Sequence, residues 1–229
     1  LIYDGLRYSV DFADLEKKLS HPLTTLMILC NPQNPAGNVW SKEELARIGE
    51  LCEKYHVTVL SDEIHCELTV PGVTYTPFAS VSEVCKNNSI TCISASKTFN
   101  LAGLIGSYHI IYSKYLRDRV EKQARLSGYN HMNVLSMHAL IGAYEPEGEE
   151  WVDELCEVLS GNISWACDYI AEHFEGVRVS KPQGTYMLYL DCGEWCREHG
   201  MTMDELIKAG IAVGVVWQDG RPFNNPNAI

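Results

Sequence analysis

Ile90-Thr91-Cys92-Ile93-Ser94-Ala95-Ser96-Lys97-Thr98-Phe99-Asn100-Leu101-Ala102-Gly103 joins an apolar run to two hydroxyls and an amine. Residues 90–93 read as a buried strand, so Ser94, Ser96 and Lys97 fall at its carboxyl end. An amine there can form a Schiff base, and hydroxyls two places apart can hold a phosphate. Alone, a strand-end lysine is more often an ordinary solvated residue. Two further stretches bear on that choice.

The first is Asn31-Pro32-Gln33-Asn34-Pro35-Ala36-Gly37, which follows the strand-like residues 24–30. Its prolines and glycine prevent a regular element, so it is a tight loop. The second is Val57-Thr58-Val59-Leu60-Ser61-Asp62-Glu63-Ile64-His65. A β-branched run here delivers Asp62 to a strand end, as a working carboxylate or as a helix cap or surface acid. Between the two, residues 41–55 read as a helix, with a Ser41/Glu44 capping box and a stripe of Leu45, Ile48, Leu51 and Cys52. Strand, loop, helix and strand in that order are the signature of a parallel α/β sheet.

Farther along, residues 107–112 read as a strand, 115–127 and 133–144 as helices, and 151–174 as one long helix. The pattern then changes. Residues 177–179, 186–190 and 212–216 look like strands, and 203–208 like a helix capped by Thr202 and Glu205. The expected division is a large domain over 1–150, a connecting helix over 151–175 and part of a small domain over 176–229.

A net charge of −12 argues against nucleic acid and anionic membranes as partners. No apolar run approaches the length of a membrane span. None of the nine cysteines forms a C-x-x-C pair, and Cys30 and Cys92 lie inside strand-like runs. They read as reduced thiols of a cytoplasmic protein. Cys192, Cys196 and His199 read as one packed helix face, so no metal is expected.

In their order and spacing, the Asn-Pro loop, the Ser-Asp-Glu strand end and the Ser-x-Ser-Lys turn resemble the fold-type-I pyridoxal phosphate (PLP) enzymes, the class I/II aspartate aminotransferase superfamily. The resemblance implies an α/β fold: a PLP-dependent transferase-like large domain, with a mostly parallel sheet and helices on both faces, plus part of a small α+β C-terminal domain. It implies pyridoxal 5'-phosphate as cofactor. Lys97 would hold it covalently and later remove the substrate Cα proton. Asp62 would face the pyridine nitrogen and Asn34 the phenolic oxygen. Ser94 and Ser96 would donate to the phosphate, and His65 would contact the cofactor.

Two departures narrow the resemblance. The superfamily's common Tyr three residues after the Asp is here His65, and its common Arg eight residues after the Lys is here Ile105. Asp62-Glu63-Ile64-His65, with Ser96-Lys97-Thr98-Phe99-Asn100 and Pro182-Gln183-Gly184-Thr185-Tyr186, is similar to the MalY/PatB group of cystathionine β-lyase-like C–S lyases. That implies β-elimination from a cystathionine- or cysteine-like amino acid, giving thiol, pyruvate and ammonia. The same residues would serve an aminotransferase. A non-catalytic PLP-fold domain is disfavoured by Lys97, Asp62 and Asn34 all being present. The resemblance also implies a homodimer, with residues 128–133 reaching across its boundary. It implies a chain truncated at both ends and not competent alone, without the usual substrate-carboxylate Arg. Arg221 does not match that Arg's motif and reads as a surface residue.

Overall fold

The computed structural model describes residues 1–4, 7–129 and 131–229. The chain enters through a small antiparallel ladder, β1 (Ile2–Tyr3) with β2 (Tyr8–Ser9), and a helix, α1 (Phe12–Leu19). The Asp11 carboxylate caps α1 by accepting from the backbone N–H of Ala13 and Asp14.

The central sheet follows. It consists of β3 (Leu26–Cys30), β4 (Thr58–Asp62), β5 (Ser89–Ile93) and β6 (Tyr108–Ile110), in that spatial order. Between them lie α2 (Lys42–Lys54) and α3 (Glu83–Asn87). The first three strands are parallel, and β6 runs antiparallel beside β5. The register sets Cys30 opposite Asp62 and Asp62 opposite Cys92, so three strands end in one row.

Alternation along β4 sends Val59 and Ser61 to one face and Leu60 and Asp62 to the other. The first face is closed by α2, whose capping box joins Ser41 and Glu44 as the sequence predicts. Leu45, Ile48 and Cys52 pack there with Leu29, Val57, Val59, Phe78 and Cys85. Full burial of each large side chain is worth about 1.5–3 kcal/mol, so this cluster anchors the strand ends above it. On the other face Leu60 and Ile90 are half-buried, and Ile28 is 69% exposed.

Three helices come next: α4 (Lys114–Ser127), α5 (Val134–Ala143) and α6 (Pro146–His173). The long helix starts earlier than the sequence suggests, because Pro146 occupies its first turn, where a proline lacks no needed N–H. The remainder is β7 (Arg178–Val179) antiparallel to β8 (Leu190–Asp191), then α7 (Gly193–Glu198) and α8 (Met203–Ala212).

The strand expected over 212–216 is absent. The Thr202/Glu205 capping box starts a helix that runs through Ala212, and Gly214 then turns the chain at φ +84°. The strand expected over 186–190 shortens to Leu190–Asp191. Cys192 and Cys196 are buried, with the Cys196 thiol 3.6 Å from the Met203 sulfur. Among the described residues no group of His, Cys, Asp or Glu could hold a metal ion. Arg221 is surface-held, pairing with Asp204 at 2.9 Å and with Asp219. Asn130, inside the stretch expected to reach across a dimer, lies outside the described residues. No described helix is long and apolar enough to cross a membrane.

Candidate active site

Three loops leave the row Cys30, Asp62, Cys92 side by side. Parallel strands place their exits at one edge, where α/β sheets bind ligands. The Asn31 N–H donates to the Asp62 carbonyl at 3.0 Å, and the Glu63 N–H donates to the Cys92 carbonyl at 3.0 Å. The ladder therefore continues one residue into each loop before they diverge.

In the first loop the two asparagines have different work. Asn31 is fully buried; its amide oxygen accepts from the Trp40 N–H at 3.1 Å and its nitrogen donates to the Thr76 carbonyl at 3.3 Å. The Asn34 side chain makes no hydrogen bond among the described residues, so its donors are free for a ligand. Cys30, beneath it, is pushed up in pKa by burial and further by the Asp62 carboxylate, against a backbone hydrogen bond from Asn34.

The second loop separates its acids in the same way. Among the described residues the Asp62 side chain accepts only the Ile64 N–H, at 3.3 Å. Glu63 is 1% exposed and takes three donors: the Ser61 hydroxyl at 2.7 Å, the Phe78 N–H at 3.0 Å and the Tyr75 hydroxyl. His65 is also 1% exposed, and its Nδ1 is buried with no partner among the described residues. Tyr186 meets the imidazole edge-on, at 5.7 Å between centroids. Burial pushes the His65 pKa down, and the Lys97 ammonium adds to this while Asp62 opposes it. His65 thus lies within the fields of both Lys97 and Asp62.

In the third loop the serines divide. The Ser94 hydroxyl donates to the Gly106 carbonyl at 2.5 Å, and its oxygen accepts the Ser96 N–H at 3.1 Å. Ser94 in this arrangement staples the turn, donating its one hydrogen to that carbonyl. The Ser96 hydroxyl and the Lys97 amine carry no hydrogen bond or ion pair among the described residues. Ile105 is 87% exposed, with φ +52°.

A fourth segment, 182–185, closes the seam between the first two loops. The Gln183 and Gly184 N–H groups donate to the Gly37 carbonyl at 2.8 and 3.1 Å, and the Val39 N–H donates to Gln183 Oε1 at 3.3 Å. On the other side the Val70 N–H donates to the Gln183 carbonyl at 2.9 Å, and the Thr185 N–H to the Leu68 carbonyl at 2.8 Å. Glycine is required on both flanks. A Cβ on Gly37, at φ +74°, would stand 2.3 Å from Pro182 Cβ, and one on Gly184 would stand 2.9 Å from Pro32 Cβ. Gln183 is a residue whose role the sequence does not show, because its partners lie far away in the chain.

Among the described residues, the site groups left without protein partners are an amide, a hydroxyl, an ammonium, one carboxylate oxygen and one buried imidazole nitrogen. As a donor set they fit a group bearing a phosphate, a phenolic oxygen, a basic ring nitrogen and a carbonyl carbon. Pyridoxal phosphate is such a group.

A family model described as aminotransferase class I and II matches residues 2–229. The cystathionine β-lyase PatB of Bacillus subtilis is 39% identical over 206 residues, which are 90% of this chain and 53% of that protein. The protein MalY of Escherichia coli is 33% identical over 223 residues, 95% of this chain and 56% of MalY. The PLP-bound C–S lyase of Staphylococcus hominis superposes with a TM-score of 0.90 at 31% identity, covering all of this chain and 57% of that one. The chain thus spans about half the length of the curated relatives it matches.

Proposed function

We propose, from the premise that this chain belongs to the aminotransferase class I and II family, that it carries the cofactor-holding part of a PLP-dependent C–S β-lyase. The observation behind the cofactor is the buried, unpartnered Nδ1 of His65 within the fields of Lys97 and Asp62. Support for elimination comes from the relatives, a cystathionine β-lyase and a C–S lyase among them.

When bound, pyridoxal phosphate supplies an electron sink for the pair left on Cα. Lys97 would anchor it covalently until the substrate's own amine takes that place, and the Lys97 amine so released would take the Cα proton. The Asp62 carboxylate holds a proton at the pyridine nitrogen through a charge-assisted hydrogen bond. Asn34 donates to the phenolic oxygen and orients the ring. Ser96 donates to the phosphate, while Ser94 holds the turn that presents Ser96 and Lys97. His65, kept neutral near pH 7 by burial and by Lys97, contacts the cofactor without adding charge. Across the reaction the Cα–H and Cβ–S bonds break, one water is consumed, and thiol, pyruvate and ammonia leave.

The proposed division is 1–150 for the cofactor domain, 151–175 for the connector and 176–229 for the small domain. A cytoplasmic homodimer fits nine unpaired thiols and the exposed Leu126, Val134 and Leu135 around α4 and α5. The second reading, an aminotransferase, uses the same residues and is favoured by the family description. A product assay on the full-length protein separates the two. Pyruvate released from cystathionine without a keto-acid acceptor is expected; glutamate formed from 2-oxoglutarate with no pyruvate would overturn elimination.

A further inference from the structure

The lysine turn is joined to the carboxylate loop by one side-chain hydrogen bond among the described residues. The Thr98 hydroxyl donates to Glu67 Oε2 at 2.6 Å, across 31 positions of sequence. Thr98 is 1% exposed and follows Lys97 directly. Glu67 is held from behind, since its carbonyl accepts the Cys156 thiol of α6 at 3.4 Å. The next residue, Phe99, is fixed from another direction: its ring stacks on Trp151 at 5.5 Å and meets Tyr144 edge-on at 6.1 Å. The backbone at Lys97 therefore has two anchors just downstream, and the polar one comes from the loop that also carries Asp62 and His65.

We propose that Glu67 and Thr98 are positioning residues for Lys97, with their hydrogen bond fixing where the amine stands relative to Asp62 and His65. Neither touches the reacting atoms. The inference rests on the reading of Lys97 as cofactor anchor and base. Proton removal depends steeply on placement, and an ångström of error can cost about a hundredfold in rate. A charge-assisted bond from a buried hydroxyl is directional enough to set that placement. A structural staple alone would change stability and leave the chemistry of the folded enzyme intact.

The test uses the full-length holoenzyme with Thr98→Val, Thr98→Ser and Glu67→Gln, each compared by melting temperature, kinetics and visible circular dichroism of the Lys97-bound cofactor. Thr98→Val is expected to lower kcat by about 10- to 100-fold with KM within about threefold, and to change the cofactor's ellipticity. Thr98→Ser should restore both, and Glu67→Gln should fall between. If Thr98→Val does not fold, Glu67→Gln decides the matter through the same kinetic split and ellipticity. Wild-type kcat and ellipticity in a folded variant, a rise in KM alone, or failure of Thr98→Ser to rescue would each overturn the inference. Lys97→Ala is the control for the underlying reading: full turnover there removes that reading, whereas a dead Lys97→Ala beside a wild-type Thr98→Val removes only the role of Glu67 and Thr98.

Discussion

The Tyr75 hydroxyl donates to the buried carboxylate of Glu63, the immediate neighbour of Asp62. Two adjacent acids on one strand end thus point to different faces and different tasks. Glu63 ties Ser61, Tyr75 and the Phe78 N–H together beneath the sheet edge, and Asp62 stays largely uncommitted above it.

Glu63→Ala should therefore be a stability mutation. It leaves buried donors unpaired, at about 3 kcal/mol in total, and lowers the melting temperature by roughly 6–12 °C. Asp62→Asn should leave the melting temperature near wild type and reduce kcat at least tenfold. Thermal denaturation alongside steady-state kinetics checks both; similar melting losses for the two variants would contradict the division.

The two serines of the lysine turn give a second pair. Ser94→Ala removes the donor to the Gly106 carbonyl and the acceptor for the Ser96 N–H, costing about 1–3 kcal/mol of stability. Ser96→Ala should be nearly neutral in stability and weaken cofactor affinity about tenfold, equivalent to about 1.4 kcal/mol. Titrating apoenzyme with pyridoxal phosphate measures the second effect, and equal affinity in Ser96→Ala and wild type would count against Ser96 as a phosphate donor.

Gly184→Ala tests the seam. Its methyl would press on Pro32 and the Leu68 carbonyl, 3.1 Å away, pushing apart the loops that carry Asn34 and Asp62. Loss of turnover by at least tenfold is expected, together with a lower melting temperature. A variant with native activity would show that the seam tolerates being opened.

His65 makes stability depend on pH. Its folded pKa lies below the ordinary value of about 6.5, so below that value the unfolded chain binds a proton that the folded chain resists. Stability is fully present above about pH 6.5 and declines as pH falls towards the depressed folded value. His65→Gln should flatten this part of the curve between about pH 7 and 5. Melting temperatures across that range check it, and an unchanged slope would remove His65 as the source.

The three motif loops were legible in the sequence because each signal is local. A β-branched run ends, a proline pair or a strand-end acid follows, and a parallel sheet puts all three at one edge. The capping boxes at Ser41 and Thr202 were legible for the same reason. The links that shape the site were not. Thr98 reads as a turn residue until Glu67 is seen beside it, and Gln183 as a loop residue until Gly37 and Val70 flank it. The sequence shows Ser94 in a phosphate motif but not that its hydroxyl reaches a carbonyl twelve positions away. Residues 212–216 misled because apolar β-branched residues suit a strand, while the helix begun at Thr202 takes in Ala212 and Gly214 then turns the chain.

The seam also fixes a sequence of events during synthesis. Val39 and the Gln183 side chain that it bonds are 144 positions apart. At about 5–20 residues per second, the ribosome needs roughly 7 to 30 s to travel between them. Throughout that interval the Asn34 loop and the Asp62 loop exist without the strap that spaces them, however early the sheet beneath them forms. The site is therefore the last part of this region to mature on a growing chain, and its geometry is acquired only after Gln183 has emerged.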